Sequence, residues 1–306
     1  MAYDVVIAGG GPAGVTSAIY TARAGLKIKV LDPMGGGGQA GTTNMIYNYP
    51  GFPQGISGPR LMESMIEQAR AFGADIEFGE ILSVRKDNHL FAIKSDDGDI
   101  QAKSVIWAAG TTPKTLGVPG EDKFTGRGVS FCATCDGALF RDKVVAVVGG
   151  GDSALTEAEF LTKFAREVIL IHRRDEFRAG LASVKRVTEN PRIKIRLDSV
   201  VEQMIGNGTL EAIVVHDVKA GKTEQVGVDG VFLYVGSIPN SSAVKELADL
   251  TRSGYIITGN DMSTVTPGLF AVGDVREKPL RQVATAVGDG AVAAWALEKY
   301  LLEEMN

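Results

Sequence analysis

Two segments of this chain, Asp4 to Gly14 and Val144 to Ala154, carry the same pattern, and it restricts the fold more than any other feature. Each is a β-branched apolar run, a glycine turn, and then small and apolar residues at helical spacing. In the first, Asp4 to Ala8 reads as a strand and Gly9-Gly10-Gly11-Pro12-Ala13-Gly14 as the turn. Val15 to Ala24 reads as a helix ended by Gly25, and Lys27 to Leu31 as a second strand. Gly9 permits the tight turn, Gly11 lets a pyrophosphate approach the backbone, and Gly14 lets helix and strand pack closely. Asp32 stands where a ribose-binding carboxylate is expected.

The second copy runs from the strand Val144 to Val148 through Gly149-Gly150-Gly151-Asp152-Ser153-Ala154 into a helix over Leu155 to Phe164. Ala154 takes the place of the third glycine, a permitted variant. Its second strand, Glu167 to Ile171, ends not in an acid but in His172-Arg173-Arg174, with Arg178 beyond. Arginines there favour a nucleotide with a 2′-phosphate. Hydrogen bonds to a charged group contribute about 1.5–3 kcal/mol each. Two such contacts favour NADPH over NADH by about 10²–10⁴, toward the lower end because they are not additive.

The only cysteines, Cys132 and Cys135, sit just upstream of that second turn, in Phe131-Cys132-Ala133-Thr134-Cys135-Asp136-Gly137. The chain shows no basic, apolar leader and no run able to cross a bilayer, which predicts a cytoplasmic protein. In that compartment a lone CxxC is catalytic or metal-binding rather than structural. A zinc site needs about four ligands. The histidines at 89, 172 and 216 are isolated, so no metal site is expected. Asp136-Gly137 makes a purely apolar, inert setting a poor description. A dithiol beside a dinucleotide turn points to electrons moving between a nicotinamide and a disulfide. The net charge of −5 argues against a general nucleic-acid binder.

Two breaker-rich segments, Gly110 to Lys114 and Gly236 to Asn240, bracket the second unit. They read as hinges, so the second unit looks inserted into the first. Alternating stretches at Ile76 to Ile100 and Ile193 to Val226 repeat one character, suggesting an internal duplication. Near the C-terminus a strand ends at Gly273-Asp274, and Gly288-Asp289-Gly290 reads as another glycine turn. A last helix is expected from about Ala291 to Glu304, with Val292, Trp295, Ala296 and Leu302 as a core or dimer face.

Taken in order, these motifs resemble the low-molecular-weight thioredoxin reductases over essentially the whole chain. They are Gly9 to Gly14, Gly37-Gly38-Gln39, Asn48-Tyr49-Pro50-Gly51, Cys132 to Gly137, Gly149 to Ala154, His172-Arg173-Arg174 with Arg178, Gly273-Asp274 and Arg281-Gln282. The resemblance implies an α/β fold of two Rossmann-like domains, for FAD and NADPH. The FAD domain would be split over residues 1–113 and 243–306, and the NADPH domain would span 114–242 with the dithiol. It implies a cytoplasmic homodimer that passes electrons from NADPH through FAD and a Cys132–Cys135 disulfide to thioredoxin. FAD contacts are implied at Gly9, Gly11, Pro12, Ala13, Gly14, Asp32, Gly38, Gln39, Asn48, Ala109, Gly110, Gly273, Asp274, Arg281, Gln282, Val283 and Ala284. NADPH contacts are implied at Gly149, Gly151, Asp152, Ser153, Ala154, His172, Arg173, Arg174 and Arg178. Cys135 would face the flavin, Cys132 would attack thioredoxin, and Asp136 would move protons. The N-terminus of the last helix, at Asp289 to Ala291, would lie near the flavin's anionic edge. The hinges suggest that the inserted domain rotates between two arrangements.

The chain departs from the family pattern in the four-glycine run Gly35 to Gly38, in Tyr47, in Trp107-Ala108-Ala109-Gly110, and in Ala138-Leu139-Phe140. The other readings are a reductase for a different disulfide carrier, a ferredoxin-linked reductase, and a flavin-bearing redox sensor. The arginines after Ile171 argue against ferredoxin, which needs no 2′-phosphate site.

Overall fold

A computed structural model describes residues 2–43, 46, 48–74 and 76–304, with the backbone alone at 134, 135 and 304. Tyr47 and the Cys135 side chain lie outside the described residues. Contacts divide the chain into Met1–Thr112 with Ile238–Asn306, and Pro113–Ser237. The second crossing lies between Ser237 and Ile238. The reason is bonding into the first unit: the Trp107 indole N–H donates to Asn240 O at 2.7 Å. The Asn240 amide donates to Ala109 O at 2.9 Å and the Ser241 hydroxyl to Gly254 O at 2.7 Å.

In the first unit a sheet runs in the order Ile76–Phe78, Ile28–Asp32, Tyr3–Ala8, Gly98–Trp107, Leu90–Ser95, Ile81–Asp87. Val5, Val6 and Ile7 are each fully buried, as expected for a central parallel strand covered on both faces. The long strand Gly98–Trp107 splits its pairing. Its first half forms an antiparallel ladder with Leu90–Ser95, and its second half lies parallel to Tyr3–Ala8 and to Leu269–Ala271. The ends of these three strands, Ala8, Trp107 and Ala271, thus lie side by side, beside the first glycine turn.

Helix Pro12–Arg23 starts with proline in its first turn, where the missing N–H costs nothing. It packs on the final helix, which begins at Val283 rather than near Ala291 and runs to Glu304. Gly288 and Gly290 are helical residues, not a turn. A Cβ on Gly290 would come within 2.4 Å of Ala13 O and 3.1 Å of Thr16 Cβ, so glycine lets the two helices meet. The Ser17 hydroxyl closes the crossing with a bond to Gly290 O at 3.2 Å. The face toward the core is Ala293, Ala296, Leu297 and Leu301. Of the face expected from sequence only Ala296 is buried, and Val292, Trp295 and Leu302 are exposed.

The second unit repeats the design. Its sheet order is Ile193–Arg196, Glu167–Ile171, Val144–Gly149, Gly230–Tyr234, Val129–Ser130, all parallel. A three-stranded antiparallel sheet, Ser199–Ile205, Ala212–Asp217 and Lys222–Gly227, is appended. Helix Asp152–Leu161 follows the second glycine turn and starts earlier than residue 155. Among the described residues no helix is long and apolar enough to cross a membrane.

Replacing Gly290 by valine is expected to destabilise the first unit by about 1–3 kcal/mol, the usual cost of overpacking. Urea unfolding of the purified protein checks it, with Ala293→Gly as a control that weakens the same helix without the clash.

Candidate active site

The first glycine turn is built by backbone touching backbone. A Cβ on Gly14 would lie 1.8 Å from Gly9 O, and one on Gly9 would lie 2.5 Å from Ala108 O. The four-glycine run folds onto this turn: Gly37 N–H donates to Gly10 O at 2.8 Å, and Gly36 to Gly38 all have positive φ. Asp32 ties the two together. Its carboxylate accepts the N–H groups of Gly10 at 2.6 Å, Met34 at 2.8 Å and Gly36 at 3.0 Å. Gly11 has open space beside it, with nothing nearer than Gly38 Cα at 3.9 Å. Pro12 and Ala13 open the helix behind it.

Residues from distant parts of the first unit close around this turn. The Gln39 amide donates to Thr111 O at 2.5 Å, and the Asn48 amide to Gln282 Oε1 at 2.7 Å. Asn240 binds Ala109 O by its side chain and Gly110 O by its N–H at 3.0 Å. Gly273 packs on Ala13, where a Cβ would come within 3.0 Å of the Ala13 Cβ. Val283 and Ala284 form the first turn of the final helix. Arg281 lies over the Tyr255 ring at 4.0 Å and donates to Asp274 O at 3.2 Å. Asp274 Oδ1 is buried and has no hydrogen-bond partner. Burial raises the Asp274 pKa, against the pull of Lys278 and Arg281. A glycine cradle open at Gly11 and a buried acceptor awaiting a donor fit a polyol-bearing dinucleotide such as FAD.

In the second unit Gly149 closes on Tyr234 O, and Gly151 has open space for an anion at the helix N-terminus. Asp152 Oδ1 accepts Gly180 N–H at 2.9 Å, Ser153 is exposed, and Ala154 is buried against Gly149. His172 is 5% exposed and its ring lies under Gly150, where a Cβ would come within 2.2 Å. The ring bonds Glu176 O at 3.1 Å and stacks on Phe177. Burial, with Arg178, Arg174 and Arg173 nearby, lowers the His172 pKa. This histidine therefore wedges the turn, while Arg173, Arg174 and Arg178 are exposed. Arg178 N–H donates to Gly150 O at 2.7 Å, which brings the arginine loop back over the glycine turn.

Cys132 is disulfide-bonded, and its segment forms one helical turn, Ala133–Asp136. Two residues that sequence reasoning missed hold that turn. The Ser130 hydroxyl donates to Asp136 Oδ2 at 2.6 Å and accepts Cys132 N–H at 3.0 Å. Ala133 N–H donates to the Tyr234 hydroxyl at 2.7 Å. Ser130 ends one parallel strand and Tyr234 ends its neighbour, so the strand ends were their only signal. Burial raises the Tyr234 pKa, and the Glu157 and Asp136 carboxyls push it the same way. Glu157 Oε2 is also buried without a partner. Among the described residues no cluster of three or more His, Cys, Asp or Glu stands ready for a metal.

A family model of pyridine nucleotide-disulphide oxidoreductases matches residues 3–290. The thioredoxin reductase of Peptoclostridium acidaminophilum is 44% identical over 305 residues, covering 98% of this chain and 97% of that protein. The crystal structure of Lactococcus lactis thioredoxin reductase superposes with a TM-score of 0.90 at 41% identity, covering 98% of this chain and 99% of that one. The T. acidophilum thioredoxin reductase gives a TM-score of 0.87 at 35% identity, with 98% and 99% covered.

Burial raises the Glu157 carboxyl to about 7, from 4.5. Its folded form holds a proton that the unfolded chain releases between those values. Stability from this group is thus full below about pH 4.5 and is lost as pH rises through about 7. The loss is on the order of 1–3 kcal/mol. Denaturant unfolding at pH 5 and pH 8 is expected to show this drop in the wild type and its removal in Glu157→Gln.

Proposed function

Because the chain belongs to the thioredoxin reductases of the pyridine nucleotide-disulphide oxidoreductase family, we propose a residue-level route for its electrons. The protein reduces a thioredoxin disulfide with NADPH: NADPH, H⁺ and the disulfide give NADP⁺ and the dithiol. Bound FAD supplies the carrier that accepts a hydride and passes an electron pair to a disulfide. The first unit's cradle, from Gly9 to Gly14 with Gly38, Gln39, Asn48, Asp274, Arg281 and the Val283 turn, holds that cofactor. The observation that carries this reading is the buried, unpartnered Asp274 Oδ1 beside a glycine turn open at Gly11.

In the second unit Gly151 and the helix N-terminus take the pyrophosphate, and Arg173, Arg174 and Arg178 take the 2′-phosphate. Their exposure around a loop bonded to Gly150 supports this role. Reduction breaks the Cys132–Cys135 bond and yields two thiols. Cys132, as thiolate, attacks the thioredoxin disulfide through a mixed disulfide, and Cys135 resolves it. Asp136 takes and returns the proton. Ser130 supports that role, since its hydroxyl fixes the carboxylate while receiving the Cys132 amide. The protein works as a cytoplasmic homodimer, and the inserted unit turns on its two connecting segments between flavin reduction and dithiol exchange. The exposed Trp295 on the final helix supports a subunit contact there.

Arg173→Ala with Arg174→Ala is expected to lower kcat/KM for NADPH by about 10² while leaving NADH nearly unchanged. Steady-state assays with both nucleotides read this directly, and equal losses would remove the 2′-phosphate role. Cys132→Ser and Cys135→Ser are each expected to stop thioredoxin reduction in a protein that stays yellow. Normal turnover in either would overturn the dithiol route.

A further inference from the structure

The loop after Asp274 and the final helix enclose charges that the proposed chemistry leaves unused. Lys278 is 9% exposed and Asp289 is 7% exposed. The Lys278 ammonium donates to Asp289 Oδ2 at 2.9 Å and to the Thr285 hydroxyl at 3.3 Å. Thr285 and Asp289 are one turn apart on the same helix, so they hold the ammonium from one side. Arg276 donates to Asp289 Oδ1 at 3.1 Å, and Gly273 N–H to Oδ2 at 3.0 Å. Asp289 is therefore committed on both oxygens. Asp274 is not: Lys278 Nζ stops 3.8 Å from its Oδ1, which has no hydrogen bond. At that distance the cation stabilises the carboxylate's charge without occupying a lone pair.

A buried acceptor left open is costly unless a donor arrives from outside the chain. A metal ion does not suit the place, because Lys278, Arg276 and Arg281 crowd it with positive charge. A neutral hydroxyl does suit it. Resting on the reading of this unit as the FAD site, the geometry points to Lys278 as a positioning residue. Tethered by Asp289 and Thr285, it keeps Asp274 Oδ1 charged and unshared for one ribityl hydroxyl of the cofactor. Burial works against that charge, Lys278 and Arg281 work for it, and Asp289 works against it.

The test uses full-length protein stripped of flavin and titrated by fluorescence. The ligands are FAD and FAD analogues that each lack one ribityl hydroxyl. Lys278→Met is expected to raise the Kd for FAD about tenfold or more. For one analogue the same substitution is expected to change Kd much less, because the contact that it disturbs is already missing. Should Lys278→Met not fold, the Lys278→Met, Asp289→Asn double variant removes both buried partners and is expected to show the same analogue dependence. Wild-type affinity for FAD in the folded variant would overturn the inference, as would an equal loss with every ligand. If the wild type itself takes up no FAD, the reading of the first unit falls and the inference falls with it.

Discussion

Everything in the first unit depends on backbone meeting backbone at the start of helix Pro12–Arg23. Gly14 lies against Gly9 O on one side of that helix, and Gly290 lies against Ala13 O on another. No side chain fits at either contact. The first contact sets the angle at which the helix leaves the strand and aims its N–H groups into the cradle. The second brings residues from the far end of the chain to the same place. Gly273, Asp274, Arg281 and the Val283 turn reach the cradle only because that crossing is close. A nucleotide site assembled from both ends of a chain needs such a rigid junction, because loops alone would leave the polar groups too loosely placed.

Charge is handled differently in the two units. In the first unit two buried carboxylates are bonded on both oxygens, and they organise backbone. Asp32 gathers three N–H groups, and Asp289 gathers an N–H and two cations. In the second unit the comparable strand ends in a buried neutral-leaning imidazole with exposed arginines beyond it. His172 supports the glycine turn from below and leaves the arginines free to meet a phosphate. One architecture thus ends its second strand in two different ways, in a backbone-binding carboxylate in the first unit and in a wedged imidazole followed by exposed arginines in the second.

Much of this was legible beforehand, for reasons that are local. Strand, glycine turn and helix follow one another within about twenty residues, so their spacing alone reveals them. The exposed position of the arginines after Ile171 is legible because they follow directly on the end of a buried strand. The last helix was misread for a physical reason. Gly288 and Gly290 resemble a turn, since glycine weakens a helix. They are helical here because neighbouring turns are buried against the core, and residue 290 is glycine because Ala13 and Thr16 leave no room for a Cβ. The place of His172 is likewise tertiary: its ring fills the space that Gly150 leaves. Ser130 and Tyr234 gave no warning, because each acts across neighbouring strands on a turn that begins elsewhere.

The amino-acid sequence by itself determined two dinucleotide units, one inserted into the other, a single sulfur pair and a preference for a phosphorylated nucleotide. Those properties live in short windows whose spacing physical chemistry can read. The tertiary structure alone decided where the last helix starts, which histidine is a wedge, and which carboxylates are spent on the protein rather than kept for a ligand. Such outcomes turn on distances between residues far apart in the chain, and no local pattern encodes them.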